Sequence, residues 1–180
     1  MEQVSARFVL LCEDEQIACF IRRFLKNRGV PRHDIRESIA PPGSGSGEQW
    51  VRRQYPNELK AIRTQDGVAL IVGTDADKFS VVERIDSLNQ ECRINRLKER
   101  QTNDRVVMIV PKRNIETWFA YLRGDIVNEM DIYKRYDNES DCRDNVRSLD
   151  EMCRKRQLRA PVPPSLETAC KEYEKLNTQT

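Results

Sequence analysis

Residues 69–79, ALIVGTDADKF, decide how this chain is read. The apolar run Ala69 to Val72 halts at Gly73 and delivers Asp75 and Asp77 one residue apart. A short apolar run closed by small and polar residues predicts a strand buried on both faces, as in a parallel sheet, and the carboxyl ends of such strands are where α/β proteins place ligands. In extended chain, residues i and i+2 point the same way, so both carboxylates are expected to face one point. That arrangement suits Mg²⁺, which takes hard oxygen ligands and keeps several waters, so that one or two carboxylates suffice. A solvated acidic loop capping the next helix is the alternative, because Asp is also a favoured turn and cap residue.

Residues 7–29, RFVLLCEDEQIACFIRRFLKNRG, repeat the pattern. An apolar run from Phe8 to Cys12 breaks into Glu13, Asp14 and Glu15; helical spacing then follows in Ile17, Phe20, Ile21, Phe24 and Leu25, with Gly29 as a stop. If the two strands are adjacent and parallel, Glu13, Asp75 and Asp77 converge at one sheet edge. For Asp14 and Glu15, compensation of a helix N-terminus is the competing reading.

Further elements follow in order. DIRESI (34–39) alternates like a half-buried strand, and PPGSGSG (41–47) is a loop whose glycines permit close backbone approach. EQWVRRQYPNELKAIR (48–63) reads as helix on both sides of Pro56, with a kink or break there. Residues 79–100 predict one long amphipathic helix or two shorter ones, RVVMIVP (105–111) a buried strand, and NIETWFAYLRG (114–124) a short helix stopped at Gly124. Three polar helices are expected in 125–136, 142–156 and 165–176, the last after an APVPP linker. The expected architecture is a Rossmann-like α/β domain over 1–124, a mostly parallel sheet flanked by helices, with a helical C-terminal extension over 125–180 packed on it.

Charge balance, 31 Lys and Arg against 29 Asp and Glu in 180 residues, selects no partner by itself; the distribution does, with acids at strand ends and cations on helices. No stretch approaches the roughly 18 apolar residues of a membrane span, and MEQVSARF lacks a signal peptide's apolar region, so a soluble, cytoplasmic protein without membrane contact is expected. The cysteines, Cys12, Cys19, Cys92, Cys142, Cys153 and Cys170, form no C-x-x-C pair, and His33 alone cannot complete a zinc site; the thiols are expected reduced and structural.

Strand-Glu, strand-D-x-D, then strand followed by Pro111-x-x-x-Ile115-Glu116-x-Trp118 resembles the toprim superfamily, in particular the small stand-alone toprim-like proteins of bacterial anti-phage defence related to OLD-family nucleases. The likeness spans Phe8 to Leu122, with Asp14 standing where the family usually has glycine. It implies a toprim-like fold and a Mg²⁺- or Mn²⁺-dependent nuclease acting on DNA or RNA, with Glu13 in acid/base chemistry. Asp75 and Asp77 would hold the metal. Glu116, just after a strand, is an added candidate ligand or a solvated cap, and Trp118 shares the helix face of Ile115 and Leu122 and reads as core. The loop Gly45, Ser46, Gly47 and the following Arg52 and Arg53 form a candidate phosphate cradle through backbone N–H groups and a helix N-terminus, or a plain surface loop. Two other readings remain. One is a noncatalytic regulatory subunit of a larger, ATPase-containing complex. The other is a receiver-like phosphate switch in which Asp75 or Asp77 accepts phosphate and Lys112 assists.

Overall fold

The computed structural model describes residues 7–135, 138, 142–155 and 157–178. Strands β1 (Arg7–Cys12), β2 (Ile35–Ile39), β3 (Val68–Gly73) and β4 (Val106–Ile109) form one sheet in the order β2-β1-β3-β4, every pair parallel. Helices α1 (Glu15–Asn27), α2 (Gly47–Ile62), α3 (Val81–Ile94), α4 (Ile115–Arg123), α5 (Arg143–Lys155) and α6 (Pro164–Glu174) cover both faces. This is the Rossmann-like α/β arrangement that the alternation of apolar runs implied.

The strand sequences dictate the two layers. Side chains alternate across a strand, so Phe8, Leu10, Cys12, Ala69, Ile71, Val107 and Ile109 share one face and meet α1, α4, α5 and α6. Val9, Leu11, Leu70, Val72, Val106 and Met108 share the other and meet α2 and α3 through Val51, Tyr55, Leu59, Leu88 and Cys92. The C-terminal helices therefore complete the same core as α1. Trp118 is fully buried there, and its indole N–H donates to Ser165 Oγ (2.9 Å). Glu172 of α6 also covers the β4 edge, accepting from the Met108 amide (3.2 Å) and from Arg100 (2.5 Å). A carboxylate that satisfies an edge amide removes a site for stray strand pairing.

Several expectations are corrected. α2 is continuous through Pro56, so the break considered there does not occur. The helix expected over 79–100 spans only Val81–Ile94; the Asn95 amide side chain bonds the Glu91 carbonyl (2.8 Å) and Arg96 turns left-handed, so the chain reverses. The helix expected over 125–136 is absent from 125–135, which run as irregular chain with a bend at 129–131; Tyr136 lies outside the described residues. Asn128 explains it: its side-chain oxygen accepts from the Met130 and Asp131 amides (2.9 and 2.8 Å), bonds that compete with a helical ladder. Among the described residues no cysteine forms a disulfide, and the Cys19 and Cys142 sulfurs lie 3.9 Å apart. No described helix is long and apolar enough to cross a membrane.

Candidate functional site

The sheet order reverses between β1 and β3: β2 lies on one side of β1, and the chain returns to the other side for β3 and β4. A doubly wound sheet opens a crevice at that point, beyond the carboxyl ends of the two strands. Cys12 pairs with Gly73 in register, so Glu13 and Thr74 leave the sheet side by side. The Glu13 amide donates to the Gly73 carbonyl (3.1 Å), and Glu13 Oε2 accepts from the Thr74 hydroxyl (2.6 Å) and the Asp75 amide (3.1 Å). β4 anchors the loop from its other side: the Thr74 and Ala76 amides donate to the Ile109 and Pro111 carbonyls (3.2 and 2.8 Å).

Two glycines let neighbouring elements close on this tip. A Cβ on Gly73 would stand 2.4 Å from Ile17 Cγ2, so its absence lets α1 lie directly against β3. A Cβ on Gly47 would stand 2.5 Å from the Glu13 carbonyl oxygen, which puts the start of α2 against the acidic turn. Of the expected phosphate cradle, Gly45 is an exposed left-handed turn residue and Ser46 is the N-cap of α2, accepting from the Gln49 amide (3.5 Å). Arg52 is half-exposed and pairs with Glu48 (3.5 Å), while Arg53 is exposed.

The carboxylates here are poorly compensated. Burial, with repulsion from Asp14 and Asp77 adding to it and bonds from Thr74 and the Asp75 amide opposing it, pushes the Glu13 carboxyl up to about 7. Asp75 is 7% exposed, and burial followed by repulsion from Glu13, Asp14, Glu116 and Asp77 holds its carboxyl well above the usual range. Asp75 Oδ1 has no hydrogen-bond partner among the described residues. Glu116, which the sequence left open as a solvated cap, is buried, and burial raises its carboxyl, with Asp14 adding to the rise and Arg135 opposing it. Asp14 is the N-cap of α1, accepting from the Ile17 amide (2.9 Å), so part of the acidic turn is helix capping.

The expectation that Asp75 and Asp77 share one direction is corrected. β3 ends at Gly73, and Asp77 has φ 54°, a left-handed conformation that Asp tolerates better than most residues. Its carboxylate, 61% exposed, turns to Arg84 (3.4 Å). Glu13 and Asp75 are thus in contact through a backbone bond, whereas the exposed Asp77 carboxylate pairs with Arg84 and acts on both through its charge. Among the described residues no group of three or more His, Cys, Asp or Glu side chains is arranged to hold a metal ion.

Arg84 is the residue that the sequence reading missed. Buried on α3, it donates to the Asp75 carbonyl (3.0 Å) and the Ala76 carbonyl (3.5 Å) and pairs with Asp77 and with Glu48 at the start of α2 (2.5 Å). One guanidinium therefore ties the D-x-D loop to α2, using the fork geometry that Arg alone offers. The signal was present: Arg84 sits in the buried stripe with Leu88 and Cys92, where helical periodicity wants an apolar residue.

No family model, curated protein or solved structure matches this chain.

Proposed function

We propose that this sheet edge is a divalent-metal-dependent phosphodiesterase site and that the chain is a toprim-like nuclease acting on nucleic acid. The observation that carries the reading is Asp75: a buried carboxylate with an unpartnered oxygen, beside Glu13, at the strand-order reversal. Leaving a buried charge unpaired is costly unless something positive meets it. The residues fit Mg²⁺ or Mn²⁺ as a two-carboxylate set, Asp75 and Glu13, in the manner of ions that keep waters and take further oxygens from substrate phosphate. A bound divalent ion would supply neutralisation of nonbridging oxygen charge and a more acidic water.

The chain's own residues support the rest. Hydrolysis of a phosphodiester removes a proton from the attacking water and gives one to the leaving oxygen. In the metal-free site the Glu13 carboxyl is pushed up to about 7; a divalent ion beside it would favour the carboxylate, the form that accepts the proton of an attacking water. Thr74 and the Asp75 amide fix its Oε2, so the group is oriented before substrate arrives. Arg84 holds the Asp75 and Ala76 carbonyls and thereby the loop that presents the carboxylate.

The test is cleavage of single- and double-stranded DNA and RNA in Mg²⁺ or Mn²⁺, with Mn²⁺ binding followed by electron paramagnetic resonance. Asp75→Asn should keep the circular dichroism of the wild type while losing Mn²⁺ affinity and cleavage. Undiminished cleavage and Mn²⁺ binding in that variant would overturn the proposal. Metal binding without cleavage of any substrate would indicate the noncatalytic regulatory subunit, and uptake of phosphate from acetyl phosphate at an aspartate would indicate the receiver-like switch.

A further inference from the structure

We infer that Lys78, Phe79 and Lys112 form a stacking and phosphate-binding rim that selects single-stranded nucleic acid for the acidic site; this rests on the phosphodiesterase reading. Phe79 is 44% exposed and lies two residues beyond Asp77. It is not a loose loop tip. Its amide donates to the Ala76 carbonyl (2.9 Å), its carbonyl accepts from Lys112 Nζ (2.5 Å), and its ring lies 5.3 Å from the Arg84 guanidinium. The Lys78 ammonium stands 5.8 Å from the same ring. The D-x-D loop thus presents an aromatic ring to solvent with two lysines beside it, and Val82, also exposed, follows one turn later.

Charge complementarity identifies the occupant. Glu13, Asp14, Asp75, Asp77 and Glu116 act on one another as a like-charged cluster, and that cluster repels a polyanion. Capture has to come from cations beside the acids, and Lys78 and Lys112 supply them on the β3 and β4 side. An ammonium has three donors, so Lys112 can hold the Phe79 carbonyl and still meet a phosphate. The ring adds the selectivity. Bases inside a duplex hide their π faces in the stack, whereas an unpaired base offers its face to an aromatic side chain, with little regard to sequence. Lysines alone would accept duplex and single strand alike; the exposed Phe79 favours the single strand.

The experiment is fluorescence anisotropy in EDTA, where no cleavage occurs, with a labelled oligothymidylate and a duplex of the same length. The wild type should prefer the single strand. Phe79→Ala should weaken single-strand binding about tenfold with an unchanged slope of log affinity against log salt, since stacking releases no counterions. Phe79→Leu keeps the apolar surface without the π face and should lose most of the same affinity. Lys78→Met should flatten the salt slope by about 0.7, one contact on a single strand. Leu binding like wild type, or equal losses on duplex and single strand, would overturn the inference and leave Phe79 and Val82 as a patch for a protein partner. The two readings fail separately: intact cleavage in Asp75→Asn with Phe79-dependent binding removes only the metal site, and lost cleavage in Asp75→Asn with Phe79-independent binding removes only the rim.

Discussion

Asp75 and Asp104 stand at opposite ends of the same parallel sheet, one just beyond β3 and the other just before β4. Asp104 is fully answered: Arg63 donates to both its oxygens (2.9 and 2.6 Å) and the Gln101 amide to one (2.7 Å). The Arg63 bonds and the Gln101 amide outweigh partial burial and hold its carboxyl below the usual range. Asp75 has a side-chain oxygen with no hydrogen-bond partner among the described residues, Glu13, Asp14, Glu116 and Asp77 repel its charge, and its carboxyl is held high. Evolution can satisfy a carboxylate in this fold, as the Asp104 end demonstrates. A site left unsatisfied at the place where α/β sheets bind ligands is therefore better read as functional than as a packing defect.

The largest effect expected from this contrast is on turnover. Glu13→Gln keeps the volume and the acceptor oxygen but removes the titrating group, and should lower cleavage by roughly 10²- to 10⁴-fold. Asp104→Asn should leave cleavage unchanged. Steady-state rates on one labelled substrate compare the two, and an equal loss in both variants would break the distinction between the sheet ends.

Stability should respond in the opposite order. Asp104→Asn weakens charge-assisted bonds to Arg63 and should cost roughly 1–3 kcal/mol in denaturant unfolding. Asp75→Asn removes a buried, repelled charge and should leave stability equal or raised. A larger loss at Asp75 than at Asp104 would mean that the site carboxylate supports the fold.

The pH dependence of melting carries the contrast further. The Glu13 carboxyl is pushed up to about 7 from 4.5, so the folded state binds its proton more tightly than the unfolded state does. Its contribution is present below the unfolded value and is lost as pH rises through the folded one, a window of pH 4.5 to 7. Asp104 is displaced downward, so its contribution is present above the ordinary aspartate range and lost only in stronger acid. Metal-free protein should therefore melt higher near pH 5.5 than near pH 8, by about 2–4 °C for each kcal/mol in a chain of this size. Glu13→Gln should flatten that difference.

How far the sequence revealed this depended on whether local or tertiary forces decided each element. β1 and β3 were legible because uninterrupted apolar runs ending in acids have few other uses, and Glu13 and Asp75 came with them. Asp77 was legible as a residue but not as a direction, because its left-handed turn is held by Arg84, whose role only the folded packing of α3 reveals. The 125–135 segment misled by composition: its periodic apolar residues Ile126, Met130 and Ile132 are exposed, and Asn128 and the Glu129 bond to Ser165 (2.5 Å) fix a different path. β4 and α4 were legible as elements, yet the burial of Glu116 followed from neighbours distant in sequence.

The smallest expected effect concerns three arginines of α2, Arg63 at its C-cap and Arg52 and Arg53 in its second turn. Arg63 follows its last turn and spends its guanidinium on Asp104 and the Lys98 and Glu99 carbonyls (2.7 Å each). Arg53 is exposed in the second turn of α2, and Arg52 pairs with Glu48. A side chain already committed to protein oxygens has no counterions to release, whereas a solvated one does on meeting phosphate. Replacing Arg52 and Arg53 together by Ala should therefore flatten the salt slope of single-strand binding by about 0.7, the value for one contact rather than two, with melting unchanged. Arg63→Ala should lower the melting temperature and leave the slope alone. If the double variant keeps the wild-type slope, phosphate does not reach α2 and the strand enters along the Lys78 and Lys112 rim alone.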